Sequence, residues 1–122
     1  MSTHLFNIGE FRLHSGQMSD FKIDCDALAD NDLAALAFLY ARRHVFGEVV
    51  SVPTGGDRFA AALAEHSTDG PSLIVDDVWT TGGSMRALLT IRPVQQHLGV
   101  VIFARSRPDG WVTPLFMMGE EL

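Results

Sequence analysis

The sequence of 122 residues is poor in cysteine and in lysine, and both shortages exclude classes of protein. Cys25 is the only cysteine, which excludes an internal disulfide framework and a cysteine-rich zinc site. Lys22 is the only lysine, and nine basic residues against fifteen acidic ones give a formal net charge of −6. Nucleic-acid-binding proteins usually carry a basic excess, so we expect no nucleic-acid partner.

Long apolar segments are missing as well. No run of about 18 uncharged apolar residues is present to span a membrane. Residues 1–4 lack a basic segment followed by an apolar one, so we expect no signal peptide. Together these absences predict a cytoplasmic protein without a membrane partner.

The composition that remains is typical of one globular domain. Hydrophobic residues make up 47% of the chain and charged residues 20%, which excludes a disordered chain and a coiled coil. No repeat, low-complexity stretch or linker interrupts the sequence. We therefore expect a single domain over residues 1–122, with a hairpin over 1–26 and a core over 27–122.

Alternating strand and helix signals predict an α/β domain with a small, mainly parallel sheet and helices on both faces. Apolar runs such as Leu73-Ile74-Val75 suit strands that are covered on both sides. The last strand is expected to pair as a hairpin with the strand before it, because residues 107–110 form a turn signal. We predict strands over 6–13, 21–24, 49–52, 72–75, 100–104 and 111–117, and helices over 30–43, 57–66 and 84–91.

The segment over residues 72–84 carries the clearest chemical signal. An apolar strand ends in Asp76 and Asp77, and a loop of small hydroxyl residues and glycines then opens a helix. Glycines let a backbone wrap closely around a ligand, and free N–H groups at a helix start bind anions. We therefore predict a phosphate cup, with carboxylates beside it that suit a sugar diol or a metal-bound water. The cup comprises Thr80, Thr81, Gly82, Gly83 and Ser84.

A capped helix after a turn is the plain alternative explanation of this segment. Two adjacent carboxylates at a strand end disfavour it, because like charges cost stability unless a ligand or a metal uses them. The segment is also distinct from a P-loop, since no Gly-Lys-Ser/Thr follows.

Residues 75–84 resemble the phosphoribosyl pyrophosphate (PRPP) motif of type I phosphoribosyltransferases, in which an apolar strand leads into Asp-Asp and then Thr-Thr-Gly-Gly/Ala-Ser. The resemblance implies that Asp76 and Asp77 contact the ribose hydroxyls and bind Mg²⁺ through water, while the cup binds the 5′-phosphate. Residues 11–24 are similar to the segment of orotate phosphoribosyltransferases that forms part of a hood over the base. The family's pyrophosphate loop corresponds here to Pro53, Thr54, Gly55, Gly56 and Asp57.

Basic residues are candidates for further contacts with the ligand. Arg58 follows the pyrophosphate loop and could bind phosphate in a bidentate manner, so we assign it a catalytic role beside Asp76 and Asp77. The candidates for contacts of the hood or the base are His14, Lys22 and Arg105. Ordinary exposed side chains would explain these three residues equally well.

The sequence departs from the family where catalysis is concerned. The family's flexible catalytic loop lies between the pyrophosphate loop and the PRPP motif, but here only residues 65–72 separate a helix from the next strand, without lysine or arginine. The leading hypothesis is Mg²⁺-assisted transfer between PRPP and a nucleobase, favouring the orotate or pyrimidine branch, by a homodimer. The alternative is a catalytically weak or inactive protein that binds PRPP or a nucleotide as a regulatory subunit.

Overall fold

The hairpin expected at the N-terminus is present in the computed structural model, which describes residues 4–13, 16–91 and 96–118. Strands β1 (Phe6–Arg12) and β2 (Met18–Ile23) pair antiparallel. Exposed and covered side chains alternate along both strands, as they do when one face of a hairpin rests on a core.

The remaining elements build a parallel sheet with helices on both faces, as the sequence predicts. The strands are β3 (Val49–Ser51), β4 (Ser72–Trp79), β5 (His97–Ala104) and β6 (Val112–Met117). The helices are α1 (Asp30–Ala41), α2 (Asp57–Ala64) and α3 (Gly83–Ile91), and a 3₁₀ turn spans Cys25–Ala27. All four strands run parallel in the order β3-β4-β5-β6. No helix in the described ranges is both long and apolar enough to cross a membrane.

Apolar side chains on both faces of the sheet explain the continuous apolar run in β4. Leu73 and Val75 belong to the cluster formed with α1 and α2, whereas Ile74 between them belongs to the cluster formed with Met85 of α3. Since both faces are covered, the carboxyl ends of the strands are the part of the sheet open to a ligand.

Strand β4 is longer than the apolar run that predicted it. Pairing with β5 continues through Asp76 opposite Val101 and Val78 opposite Phe103, so the two aspartates lie within the strand rather than after it. On the other side, pairing with β3 ends at Ser51 opposite Val75. Asp76 and Asp77 therefore extend past the end of β3, beside the loop that follows it.

The expected hairpin between the last two strands is wrong, because β6 runs parallel to β5. The connection over residues 105–111 returns along the length of β5 and brings Val112 opposite Gly99, near the start of that strand. Trp111 then packs on Gly99, where a Cβ would lie 2.8 Å from the indole ring. The turn at residues 107–110 does reverse the chain. Because the chain then runs back to the start of β5 before β6 begins, β6 pairs parallel rather than antiparallel.

Candidate functional site

A cleft of about 820 Å³ lies at the carboxyl ends of the strands, between the hairpin and the core. Its walls come from the hairpin (residues 11–13 and 22–26), the loop after β3 (52–55), the end of β4 with the following loop (76–85), and Arg105. Ligands of open α/β sheets bind at this end. The segments that the sequence singled out are thus brought together around one space.

Asp76 and Asp77 share the floor of the cleft but differ in environment. Asp76 is only 8% exposed, and its Oδ1 accepts a hydrogen bond from the Asp77 N–H at 2.8 Å. The Asp77 Oδ1 accepts one from the Val78 N–H, also at 2.8 Å. Burial, followed by hydrogen bonding and charge repulsion from Asp77, raises the pKa of Asp76 to about 8. When no cation or ligand is bound, the two carboxyls therefore share a site in which the second ionisation is disfavoured.

Cys25 forms part of the cleft wall near this acid pair. Burial first, and then the charge of Asp77, raise the pKa of the thiol to about 12. Because a thiolate is the nucleophilic form of cysteine, Cys25 acts as a packed, neutral side chain.

The predicted pyrophosphate loop lies directly against the end of β4. A Cβ on Gly55 would sit 2.7 Å from Asp77 Oδ2, and a Cβ on Gly56 would sit 2.5 Å from the Val75 carbonyl oxygen. Glycine at both positions leaves room for this approach, and at Gly56 the neighbouring atoms belong to the backbone, which cannot move aside. Pro53, Thr54 and Gly55 line the cleft; Gly56 is buried, and Asp57 accepts a hydrogen bond from Ser51 Oγ beside it.

All five residues of the predicted phosphate cup line the cleft. Gly82 has φ +85°, and a Cβ there would lie 2.3 Å from the Trp79 ring, so the turn requires glycine. Within the described ranges, the N–H groups of residues 81–84 donate to no other protein group. These amides open helix α3, where unpaired N–H groups and the helix dipole favour an anion.

Among the described residues, three cationic side chains also line the cleft: Arg12, Lys22 and Arg105. Arg105 donates to Ser19 Oγ at 2.9 Å and to the Phe21 carbonyl at 2.8 Å, and its guanidinium lies 4.0 Å from the centre of the Phe21 ring. Partial burial lowers the pKa of Arg105. Sequence reasoning missed Arg12, although its place beside the turn that resembles the hood could have pointed to it.

The structure places the predicted catalytic residue Arg58 outside the cleft. One guanidinium nitrogen, Nη2, donates to the Leu28 carbonyl at 2.8 Å and to Asp30 Oδ1 at 2.9 Å. A catalytic role for Arg58 therefore stays a prediction that requires its side chain to leave both partners. The other candidate on the hood, His14, lies outside the described residues.

Arg86 and Ser106 are two further residues at the cup that the sequence did not reveal. Ser106 Oγ donates to the Thr80 carbonyl at 2.6 Å, and Arg86 Nη1 donates to the Thr81 carbonyl at 2.9 Å. No local pattern signals such contacts, because Ser106 meets the cup only through the tertiary fold.

Comparison with known proteins agrees with this geometry at the level of the fold. No protein-family model matches the sequence, and no curated protein matches it. Among solved structures, UMP synthase of Leishmania donovani matches with a TM-score of 0.76 at 16% identity, over 95% of this chain and 34% of that one. Orotate phosphoribosyltransferase of Aeropyrum pernix matches with a TM-score of 0.72 at 21% identity, over 93% of this chain and 88% of that one.

A third similar structure is orotate phosphoribosyltransferase of Mycobacterium tuberculosis H37Rv in complex with inorganic phosphate. Its TM-score is 0.62 at 17% identity, over 90% of this chain and 86% of that one. The chain thus has a type I phosphoribosyltransferase-like fold. It spans about a third of the UMP synthase chain and most of the two orotate phosphoribosyltransferases.

Proposed function

We propose that this protein transfers a phosphoribosyl group between PRPP and a nucleobase, with the orotate or pyrimidine branch favoured. The observation that carries the proposal is the meeting of Asp76 and Asp77 with the open amides of residues 81–84 in one cleft of this fold. Carboxylates accept hydrogen bonds from a ribose diol, and open amides bind its 5′-phosphate.

Each segment then has a task in the reaction. Asp76 and Asp77 hold the ribose, the cup at 80–84 holds the 5′-phosphate, and the loop at 53–57 faces the pyrophosphate. A ring nitrogen of the base forms a bond to C1′ and releases its proton to solvent, while the bond from C1′ to pyrophosphate breaks and its electron pair leaves with pyrophosphate. The transition state resembles an oxocarbenium ion, so carboxylates held beneath the ribose stabilise the positive charge that develops there.

The donor set at the cleft fits Mg²⁺ as a cofactor. Among the described residues no group of three or more histidines, cysteines and acids is placed to hold a metal. Mg²⁺ rarely needs such a cage, since it keeps several waters and binds through one or two carboxylates together with substrate phosphates. Asp76 and Asp77 would hold the ion through water, and the bound ion would offset charge on the leaving pyrophosphate.

The cations of the cleft favour a base with acidic or carbonyl oxygens. Arg105 lies against the face of Phe21 at the hairpin end of the cleft, and Lys22 and Arg12 line the same side. Guanidinium and ammonium groups donate hydrogen bonds to the carbonyl and carboxylate oxygens of a ligand. We assign base or hood contacts to Lys22 and Arg105, together with His14.

A second candidate function is regulatory binding of PRPP or a nucleotide with little turnover. It is favoured by the short connection between α2 and β4: residues 65–71 join them directly, without lysine or arginine. Leaving-group charge must be stabilised and water must be excluded for efficient transfer. A chain without a catalytic loop between α2 and β4 either catalyses transfer slowly or has its site completed by a second subunit. We therefore propose that the protein acts as a homodimer, and that it does so in the cytoplasm.

Calorimetric titration with PRPP, with and without Mg²⁺, followed by pyrophosphate release across a panel of nucleobases, tests the proposal. Release with one base supports transfer, and binding without release supports the regulatory alternative.

Asp77→Asn should weaken PRPP binding by about 1 to 3 kcal/mol, the scale of charge-assisted hydrogen bonds. Asp69→Asn removes an exposed carboxylate outside the cleft and serves as the matched control. Absence of PRPP binding to the folded wild type would refute both functions.

A further inference from the structure

Two consecutive carbonyl groups of the phosphate cup are held by side chains from outside the cleft. Ser106 Oγ donates to the Thr80 carbonyl at 2.6 Å, and Arg86 Nη1 donates to the Thr81 carbonyl at 2.9 Å. Thr80 and Thr81 line the cleft, but Ser106 and Arg86 do not. The two side chains therefore hold the loop from its outer side.

These two bonds fix the direction of the amides that follow. Cis peptides in this chain are confined, among the described residues, to Pro53–Thr54, so the cup has trans peptides. In a trans peptide the C=O of one residue and the N–H of the next point in opposite directions. With the Thr80 and Thr81 carbonyls turned outward, the N–H groups of Thr81 and Gly82 are turned the other way, and they have no partner among the residues that the structure describes.

Arg86 makes several further contacts, which limit the positions that its side chain can adopt beside the loop. Nε and Nη2 bind the two carboxylate oxygens of Asp109 at 2.8 and 2.7 Å. The guanidinium lies 5.2 Å from the centre of the Trp79 ring, and that ring packs under Gly82. A bidentate arginine–carboxylate pair sets geometry as well as energy. The ring, the ion pair and the loop thus form one unit.

We propose that Arg86 and Ser106 are positioning residues that orient the cup's amides toward the ligand's phosphate before it binds. This inference rests on the proposed function, because it presupposes that the cup binds a phosphate group. Donors already aimed at an anion need no reorganisation on binding, so the two residues raise phosphate affinity without touching the ligand.

Backbone amide NMR of the full chain, titrated with ribose 5-phosphate and with inorganic phosphate, measures both the phosphate affinity and the response of each amide in the cup. Ser106→Ala and Arg86→Met should each weaken binding about three- to tenfold, the effect of one ordinary hydrogen bond. Both substitutions should also reduce the changes in chemical shift that phosphate causes at the Thr81 and Gly82 amides. Ser106→Thr keeps a hydroxyl and should restore affinity, which a general loss of stability would not explain.

Matched controls separate this role from an ordinary structural one. Ser67→Ala removes a serine bond to a backbone carbonyl of the same 2.6 Å length, formed with Gly47 outside the cleft. Arg107→Met removes an exposed arginine from the segment that carries Ser106. Both controls should keep wild-type phosphate affinity.

The outcomes distinguish the positioning role of Arg86 and Ser106 from phosphate binding by the cup. A folded wild type that binds neither probe refutes phosphate binding by the cup, and the positioning role with it. A wild type that binds, with Ser106→Ala and Arg86→Met binding equally well or losing no more than the controls, refutes positioning alone. Should Arg86→Met fail to fold, the comparison of Ser106→Ala with Ser106→Thr still decides.

Discussion

Asp76 and Asp77 are identical, adjacent residues, and burial of Asp76 is the main factor that makes them chemically different, ahead of the hydrogen bond and charge of Asp77. Successive strand residues point to opposite faces, so Asp76 is turned into the protein while Asp77 is partly exposed. Desolvation then favours the protonated form of Asp76 and raises its pKa from the usual 3.8 to about 8. One of the two carboxyls is thus costly to ionise in the free protein.

Asp76→Asn should stabilise the free protein at alkaline pH. Between pH 3.8 and pH 8 the folded Asp76 holds a proton that the unfolded chain releases, so the free energy of unfolding falls as pH rises through this window. Asparagine keeps an oxygen for the Asp77 N–H but carries no charge. We expect a gain of about 1 to 2 kcal/mol at pH 8 and a flatter pH dependence.

Urea unfolding at pH 5 and pH 8 measures this effect, with Asp69→Asn as the control. A destabilised Asp76→Asn at pH 8, or an unchanged slope between the two pH values, would contradict it.

Gly55 and Gly56 offer a matched pair of substitutions at one turn. A Cβ on Gly55 would displace the Asp77 carboxylate, a movable side chain, so Gly55→Ala should weaken PRPP binding about tenfold with little loss of stability. A Cβ on Gly56 would meet the Val75 backbone, so Gly56→Ala should cost about 1 to 3 kcal/mol of stability. Calorimetry measures the PRPP affinity of both variants, and thermal unfolding measures their stability. If the two variants lose affinity and stability to the same extent, neither glycine has a role specific to the site.

At the scale of elements, the hairpin is tied to the sheet at the end of β5. Arg105 bonds Ser19 and the Phe21 carbonyl and covers the Phe21 ring, while Phe6 packs edge-on against Phe103, 5.8 Å between ring centres. The hairpin that forms one wall of the cleft is therefore held both by these contacts and by Ile23, which is buried in the core.

Arg105→Met should loosen this hairpin. Loss of two hydrogen bonds and the contact with the ring should lower the free energy of unfolding by about 1 to 3 kcal/mol. Amide hydrogen exchange in β2 should accelerate, while exchange in β4 stays near wild type. Arg107→Met, which alters an exposed neighbour, is the control. Unchanged exchange in β2 would show that apolar packing, of Phe6 on Phe103 and of Ile23 in the core, holds the hairpin without Arg105.

At the scale of the whole molecule, the hairpin covers one side of the cleft, whereas the connection between α2 and β4 covers none of it. The chain's own hairpin brings Arg12 and Lys22 to the cleft, but the connection over 65–71 brings no cation and no lid. The molecule as a whole carries a charge of −6, which repels a polyanion such as PRPP until local cations or Mg²⁺ intervene. A second copy is the simplest source of cover.

We expect the active form to be a homodimer. The rate of pyrophosphate release per chain should fall at least about tenfold on dilution below the dimer's dissociation constant, because a site shared between subunits is lost with its partner. Sedimentation over the same concentration range measures the assembly. Asp77→Asn, whose substitution lies in the cleft, should dimerise like the wild type. A monomer with an undiminished release rate would refute the shared site.

The sequence by itself determined the features that depend on neighbours in the chain. The run Leu73-Ile74-Val75 followed by two aspartates and a Thr/Gly loop predicted a strand, a loop and a helix, and the structure has them in this order. Apolar strands between helices predicted the parallel sheet, because such strands need cover on both faces. The glycines of the loop predicted a close turn of the backbone, and Gly82 has a positive φ that favours glycine.

Only the tertiary structure decided what depends on contacts between distant segments. It set the direction of β6, the length of β4 and the burial that separates Asp76 from Asp77. It turned Arg58 toward Asp30 and brought Arg12 to the cleft. Ser106 meets the Thr80 carbonyl for the same reason: the path of the chain after β5 creates the contact, and no local pattern encodes it.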